Sequence, residues 1–171
     1  MNLHKKTTKL VLAALFIALC FLGGNLKILG SIAFDSLPAF IGTMFLGYGF
    51  GAAIGALAHL LSALLSGFPL SVPVHLITAV MMALTMVGFL LTIRLCQKAK
   101  MPKILSYILG CVVAVILNCP ASLFVLIPLL GKDVVFGLLP ALLPASVANA
   151  ALAVIIYGLL PAKLKDGAAC K

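Results

Sequence analysis

Acidic residues are scarce in this sequence, which holds three Asp, no Glu and 12 Lys or Arg among its 171 residues. Charged residues make up 9% of the chain and hydrophobic residues 64%, with a mean hydropathy of +1.32. A soluble domain carries about 25% charged residues and could not bury this much apolar surface. The composition therefore excludes a soluble globular fold, and the shortage of carboxylates excludes a paired acidic cluster for metal-dependent catalysis.

Motifs that carry chemistry are also missing. The sequence has no Walker nucleotide-binding motif, no HExxH zinc motif and no GxSxG nucleophile motif. Its five cysteines show no CxxC or other metal-ligand spacing, and four of them lie in or beside apolar segments, where we expect buried thiols: Cys20, Cys96, Cys111 and Cys119. We therefore expect no catalytic residues, no metal site, no cofactor and no enzymatic activity.

Long apolar runs fill most of the chain. A transmembrane helix needs about 20 apolar residues, so the chain has room for about six spans once loops are subtracted. We predict an all-α integral membrane protein with six transmembrane helices, forming a single domain over residues 1–171. The first run, from about Lys9 to Gly24, follows lysines as a signal peptide would, but the equally apolar chain behind it favours a retained first span.

The basic residues fall into three clusters separated by apolar stretches. These clusters are Lys5, Lys6 and Lys9; Arg94, Lys98, Lys100 and Lys103; and Lys163, Lys165 and Lys171. The positive-inside rule places all three in the cytoplasm, so both termini are cytoplasmic and the number of spans is even. The net charge of +9 therefore indicates orientation in a bacterial cytoplasmic membrane and contact with lipid, and we expect no nucleic-acid partner.

Glycine and proline positions predict the boundaries of the helices. The second helix is short, begins near Asp35 or Ser36 with Pro38 in its first turn, and follows an outer loop from Asn25 to Phe34. The later predicted segments are an inner turn at Gly47–Gly51, helix 3 to about Ser66, an outer loop at Gly67–Pro73, helix 4 over Val74–Cys96, a basic loop at Gln97–Lys103, helix 5 interrupted by Pro120, an outer loop at Ile127–Pro140 and helix 6 over Ala141–Leu160.

Polar side chains within the spans are candidate ligand contacts, because they are costly in a bilayer unless they face the interior of the bundle. On predicted helix 3, His59, Ser62 and Ser66 share one face, and on helix 5 Asn118 and Ser122 share another. These two faces indicate a cavity between the helices.

Depth in the membrane brings three of the polar residues to one level. At 1.5 Å per residue, His59, Asn118 and Asn149 each lie about 10–14 Å below the outer ends of their predicted helices. Nearer the rim come residues of the outer loops and helix ends: Lys27, Asp35, Phe68 and His75. Together these residues predict a pocket that opens outward and holds a small molecule between polar groups and apolar walls.

Each candidate also has a structural explanation. An intramembrane Asn or Ser often bonds one helix to another, Asp35 can cap the second helix, and Lys27 can be a charge at the membrane surface. His59 is the strongest candidate for a functional role, because an imidazole at mid-depth in a membrane is rare.

Two stretches resemble a known family of membrane proteins. Residues 30–40, GSIAFDSLPAF, and residues 46–55, LGYGFGAAIG, are similar to the S components of energy-coupling factor (ECF) transporters. The resemblance extends to the chain length, the six spans, the cytoplasmic termini and the short second helix. It implies an S-component bundle that binds a vitamin-like molecule and works with a transmembrane T component and two ATPase subunits.

The resemblance also implies roles for particular residues. Ala14 and Ala18 are similar to the AxxxA element by which S components dock the T component. Residues 34–38 and 58–69, FDSLP and AHLLSALLSGFP, are most similar to the subgroup proposed to import α-ribazole, a cobalamin precursor. A benzimidazole nucleoside suits a pocket with apolar walls and polar groups for its sugar. His59 stands where many members carry an acidic residue, so roles from other S components do not transfer to this position.

Other functions stay open at this point. The ligand could be another vitamin, such as pantothenate, folate or a cobalamin-like molecule. The missing motifs disfavour an intramembrane enzyme, and a haem protein with His59 and His75 as axial ligands is disfavoured because their expected depths differ by roughly 10 Å. A purely structural membrane protein would not need three polar groups at one depth.

Overall fold

The computed structural model describes residues 3–25, 27–28 and 32–161, with side chains described for 6–24 and 34–161; the third basic cluster lies outside these ranges. The elements in chain order are α1 (Leu3–Asn25), β1 (Lys27–Ile28), β2 (Ile32–Ala33), α2 (Leu37–Leu46), α3 (Tyr48–Leu65), α4 (Val72–Lys98), α5 (Lys103–Ile116), a π-helical turn (Leu117–Ala121), α6 (Ser122–Val125), α7 (Ile127–Leu130) and α8 (Lys132–Leu159).

Apolar helices dominate the described residues. Five of them are long and apolar enough to cross a membrane, namely α1, α3, α4, the combined α5–α6 segment and α8, while α2 is a shorter sixth. The predicted all-α bundle of six apolar helices is confirmed, with five long helices and a shorter one. The two strands have two residues each and pair antiparallel, Lys27 with Ala33 and Ile28 with Ile32, within the predicted first loop.

A single glycine connects α2 to α3. Gly47 follows the last residue of α2 and precedes the first of α3, with φ +88° and ψ −176°. This positive φ is accessible to glycine but strained for other residues. The predicted turn over Gly47–Gly51 is therefore too long: α3 begins at Tyr48, because one glycine is enough to reverse the chain.

Pro120 interrupts the fifth span as predicted, and the backbone adapts by a π-helical turn over Leu117–Ala121. Proline has no N–H for the helical ladder, so a carbonyl one turn earlier loses its donor. The Ser122 hydroxyl donates to the Leu117 carbonyl at 2.7 Å, which supplies one side-chain bond in this irregular turn. The helix continues through α6 after this local change.

The last long helix begins earlier than predicted. The sequence places an outer loop at Ile127–Pro140, but α7 occupies Ile127–Leu130 and α8 runs from Lys132 with Pro140 and Pro144 inside it. Prolines are tolerated in membrane helices because neighbouring groups can satisfy the freed carbonyls. The predicted loop is wrong for this reason. α1 likewise begins at Leu3 rather than near Lys9, because a helix can extend beyond its apolar stretch.

The short α2 lies at the centre of the bundle. It packs against α1, α3, α4 and α8, and its Ala39, Phe40 and Thr43 are fully buried. Phe40 and Phe89 of α4 meet edge to face, with ring centroids 5.0 Å apart. The most extensive interface joins α3 to α4, the two helices that carry the candidate histidines.

Candidate ligand-binding site

His59 and His75 are in direct contact across the interface of α3 and α4. The His59 Nε2 and His75 Nδ1 atoms are 3.1 Å apart and share a hydrogen bond, and the ring centroids are 5.2 Å apart. His59 lies six residues before the end of α3 and His75 three residues after the start of α4. Because the two helices run in opposite directions, these positions differ in depth by roughly 4.5 Å, a gap that side chains span.

The contact corrects the depth difference of roughly 10 Å expected from the sequence. It also argues against a haem iron between the two rings, since metal–nitrogen bonds of about 2 Å each would need nitrogens about 4 Å apart. Among the residues that the structure describes, no group of three or more His, Cys, Asp or Glu side chains is placed to hold a metal.

Phe68 packs on the outer side of this pair. It lies in the turn between α3 and α4, with its ring centroid 5.7 Å from that of His75. The turn is held by hydrogen bonds from the Phe68 N–H to the Ala63 carbonyl at 2.8 Å and from the Ser71 N–H to the Phe68 carbonyl at 3.1 Å. His59, His75 and Phe68 form a group that we call the histidine cluster.

The histidine cluster adjoins a small polar cavity. Asp35, His59 and Ser62 line it together with Cys20 of α1 and Met82 of α4, and its volume is about 10 Å³. A Cβ added at Gly23 would clash with the backbone carbonyl of Phe34, so glycine permits α1 to approach the residues before α2 closely. Cys20 carries no sequence signal for this role, because an isolated thiol in an apolar helix is typical of packing.

Asp35 precedes α2 and points into this cavity. The Ser36 N–H donates to Asp35 Oδ1 at 2.8 Å. Burial raises the pKa of the Asp35 carboxyl above its usual value, and hydrogen bonds from Ser36 oppose the shift. The Asp35 carboxyl group thus adds a hydrogen-bonding group to the cavity.

One nitrogen of the pair has no hydrogen-bond partner among the described residues. His75 Nε2 is shielded from solvent and unbonded there, although His75 as a whole is only partly buried. Shielding a polar atom without a partner costs free energy, so a ligand group that bonds this nitrogen would remove that cost.

Several predicted site residues have other contacts or lie elsewhere. Asn118 Nδ2 donates to Ser146 Oγ at 3.0 Å, and Asn149 Oδ1 accepts from the Leu37 N–H at 3.0 Å. Ser122 bonds the Leu117 carbonyl, and Ser66 is exposed at the end of α3. The prediction that these four contact a ligand stays a prediction, as does that for Lys27, whose side chain lies outside the described residues.

A larger groove lies between α5 and α8, away from the histidine cluster. Its volume is about 510 Å³, and apart from Tyr107 and Cys111 its lining is aliphatic, with Ile104 and Ile116 near its ends on α5. An aliphatic lining of this kind can pack against hydrocarbon chains but has few polar groups to orient a polar ligand. The chemistry for specific recognition is therefore concentrated at the histidine cluster.

Sequence comparison identifies the family. The profile of the family described as ECF transporter, substrate-specific component, matches residues 8–161 of the chain. This protein belongs to that family. No curated protein and no solved structure matches the sequence.

As an ECF substrate-specific component, or S component, the protein is a membrane subunit of a transporter. Membership implies association with an ECF module, which comprises a T component and ATPases, and a small-molecule substrate. The resemblance seen in the sequence is thus confirmed for the family. Ala14 and Ala18 are exposed on α1, a helix that packs mainly against α2 and α3.

Proposed function

We propose that this S component captures α-ribazole, or a closely similar ring-bearing vitamin precursor, from outside a bacterial cytoplasmic membrane. The histidine cluster carries the proposal. The Phe68 ring offers an aromatic face for stacking a benzimidazole, and the imidazole nitrogens offer hydrogen bonds to a ring nitrogen or to ribose hydroxyls. Aromatic and polar groups side by side suit a ligand that is part heterocycle and part sugar.

The polar cavity below the cluster extends this site. Asp35 and Ser62 come from different elements and face the same space as His59, so a ligand that enters it meets the hydrogen-bonding groups of Asp35 and Ser62 beside the histidine pair. Asn118 and Asn149 would reach the ligand only by leaving Ser146 and Leu37, their present partners.

Binding requires that the site open. Small-molecule pockets measure about 300–1,000 Å³, whereas the cavity of about 10 Å³ has room for about one water molecule. The turn between α3 and α4 is the element that would move, because displacing Phe68 would uncover His75. Phe68 and Ser71 have φ of 50° and 125°, and a non-glycine residue held at positive φ typically stores about 1–3 kcal/mol of strain.

The exposed face of α1 is the proposed docking surface for the T component. Ala14 and Ala18 are four residues apart and exposed, so they lie on one side of the helix. Small side chains allow the backbone of a neighbouring membrane helix to approach closely. Cys20, which lines the cavity, is buried on another face of α1, so substrate bound there would be delivered by a complex whose ATPases are separate chains.

Native mass spectrometry of the purified protein, followed by calorimetric titration, tests the substrate. We expect co-purified α-ribazole, and titration should give saturable binding of α-ribazole but not of pantothenate, folate or cobalamin. Preferential binding of one of those three vitamins would replace α-ribazole as the substrate. Nucleotide hydrolysis by the rigorously purified chain would contradict the proposal altogether.

A further inference from the structure

The hydrogen bond between His59 and His75 couples the tautomers of the two rings. A neutral imidazole carries one N–H, and the other nitrogen is an acceptor. If His59 Nε2 donates to His75 Nδ1, both rings are Nε2–H tautomers, and if the bond runs the other way, both are Nδ1–H tautomers. Mixed tautomers would place two protons or two lone pairs between the nitrogens and break the bond.

The two outer atoms of the pair therefore have opposite character. When His75 Nε2 carries a proton and can donate, His59 Nδ1 has none and can only accept; in the other arrangement the roles reverse. In both cases the two outer nitrogens present one donor and one acceptor, and the two cases differ only in which nitrogen donates.

The two ends face different surroundings. His75 Nε2 is shielded from solvent and has no partner among the described residues, and the Phe68 ring packs against the same imidazole. His59 lines the small cavity that Asp35 and Ser62 also line. A displacement of Phe68 would uncover the His75 end of the pair, whereas the His59 end faces Asp35 and Ser62, groups of the protein that can donate or accept.

We propose that His59 and His75 recognise the ligand as one unit, in which His75 Nε2 bonds the ligand and the hydrogen bond with His59 fixes whether that nitrogen donates or accepts. This inference rests on the proposed function and specifies the chemistry of its site. His75 is the contacting residue and His59 the positioning residue. The ligand group at this point is one that donates or accepts a hydrogen bond, such as a ring nitrogen, hydroxyl or amide group, and not a hydrocarbon.

A ligand-free NMR measurement tests the coupling. The chain has three histidines, so a His4→Gln background leaves the pair as the only histidine signals. With ¹⁵N-labelled histidine in detergent, we expect a scalar coupling across the hydrogen bond between His59 Nε2 and His75 Nδ1, and the same tautomer in both rings. Opposite tautomers, or no coupling, would overturn the proposal.

Paired substitutions at His75 test the contact. An Asn side chain places its amide near the position of imidazole Nδ1, whereas a Gln side chain reaches the position of Nε2. His75→Asn keeps a partner for His59 but removes the ligand contact, so its affinity for α-ribazole should fall about ten- to hundredfold. His75→Gln should bind more tightly than His75→Asn, because it restores a polar group at the Nε2 position.

A control on the same helix separates local packing from recognition. Thr78 lies three residues after His75 and donates its hydroxyl to the Val74 carbonyl at 2.9 Å, so Thr78→Val should leave affinity within about twofold of wild type. If His75→Asn and the wild type bound α-ribazole with equal affinity, the proposed contact between His75 Nε2 and the ligand would be overturned.

The two measurements distinguish this proposal from the choice of substrate. Wild-type protein that shows the coupling but does not bind α-ribazole would contradict that substrate, while the coupling would support the paired histidines. Wild-type protein that binds α-ribazole but shows no coupling would support the substrate and overturn the proposal that the two histidines act as one unit.

Discussion

The Oδ1 atom of Asn149 accepts a hydrogen bond of 3.0 Å from the backbone N–H of Leu37, the first residue of α2. α2 thereby receives its cap from α8, 112 residues away, since Ser36 makes no side-chain cap bond. Asn149 also donates to the Ala145 carbonyl at 2.8 Å and is almost fully buried. The residue therefore ties the last long helix to the start of the central short one.

Replacing Asn149 by Ala should destabilise the fold. The Leu37 N–H would lose its partner in a buried place, which typically costs about 1–3 kcal/mol. Thermal unfolding in detergent should show a lower midpoint for Asn149→Ala than for Asn118→Ala, because Asn118 is only partly buried and bonds the Ser146 side chain rather than a helix end. Equal midpoints for the two variants would contradict the capping role.

The start of α2 can be predicted from the sequence, but its cap cannot. Pro38 places the first turn within a residue or two, because proline is favoured there. The cap comes from Asn149, and nothing in the spacing of polar residues indicates a partner 112 positions away. The sequence predicts Asn149 as a polar residue in the bundle interior, while its partner depends on the tertiary packing of α2 against α8.

Prolines explain the largest error in the predicted helix boundaries. Pro140 and Pro144 lie inside α8, which starts at Lys132 rather than Ala141. Measured from Lys132, Asn149 lies roughly 25 Å along its helix, so the depth estimated from the sequence does not apply to it. The sequence shows where proline stands but not whether neighbouring groups compensate for the missing N–H.

The histidine contact could be predicted only in part. The sequence identifies His59 and His75 as polar positions on neighbouring helices but places them at different depths. In the structure α3 ends one residue earlier and α4 begins two residues earlier than predicted, which halves the expected difference in depth. Helix boundaries inferred from a sequence are accurate only to one or two residues.

Glycine packing between α2 and α3 gives a second prediction with a matched control. A Cβ at Gly51 would lie only 2.5 Å from the Oγ1 of the fully buried Thr43, whereas a Cβ at Gly49 would meet nothing within 4 Å. Gly51→Ala should therefore lower stability by about 1–3 kcal/mol through overpacking. Gly49→Ala should leave the unfolding midpoint unchanged or slightly higher, since Ala favours helix.

Unfolding of the two glycine variants side by side in one detergent checks this prediction. A Gly51→Ala protein as stable as wild type would show that α2 and α3 do not pack at the distance described.

Docking of the T component gives a third prediction. Ala14→Trp or Ala18→Trp should leave ligand binding intact but abolish uptake, because a large side chain prevents the close approach of helices. Co-purification with the coupling module and uptake in cells measure the two steps. Ala151→Trp is the control, since Ala151 is exposed in the groove between α5 and α8, away from α1; loss of uptake in all three variants would argue against a docking surface on α1.

Calorimetric titration of α-ribazole against His59→Ala, with thermal unfolding measured in parallel, tests the central claim most directly. Thr92→Val serves as the comparison, because it removes an intramembrane hydroxyl that donates to the Gly88 carbonyl of its own helix at 2.8 Å. We expect the dissociation constant to rise about ten- to hundredfold for His59→Ala and to stay near the wild-type value for Thr92→Val. Unchanged affinity in His59→Ala would contradict a ligand site at the histidine cluster.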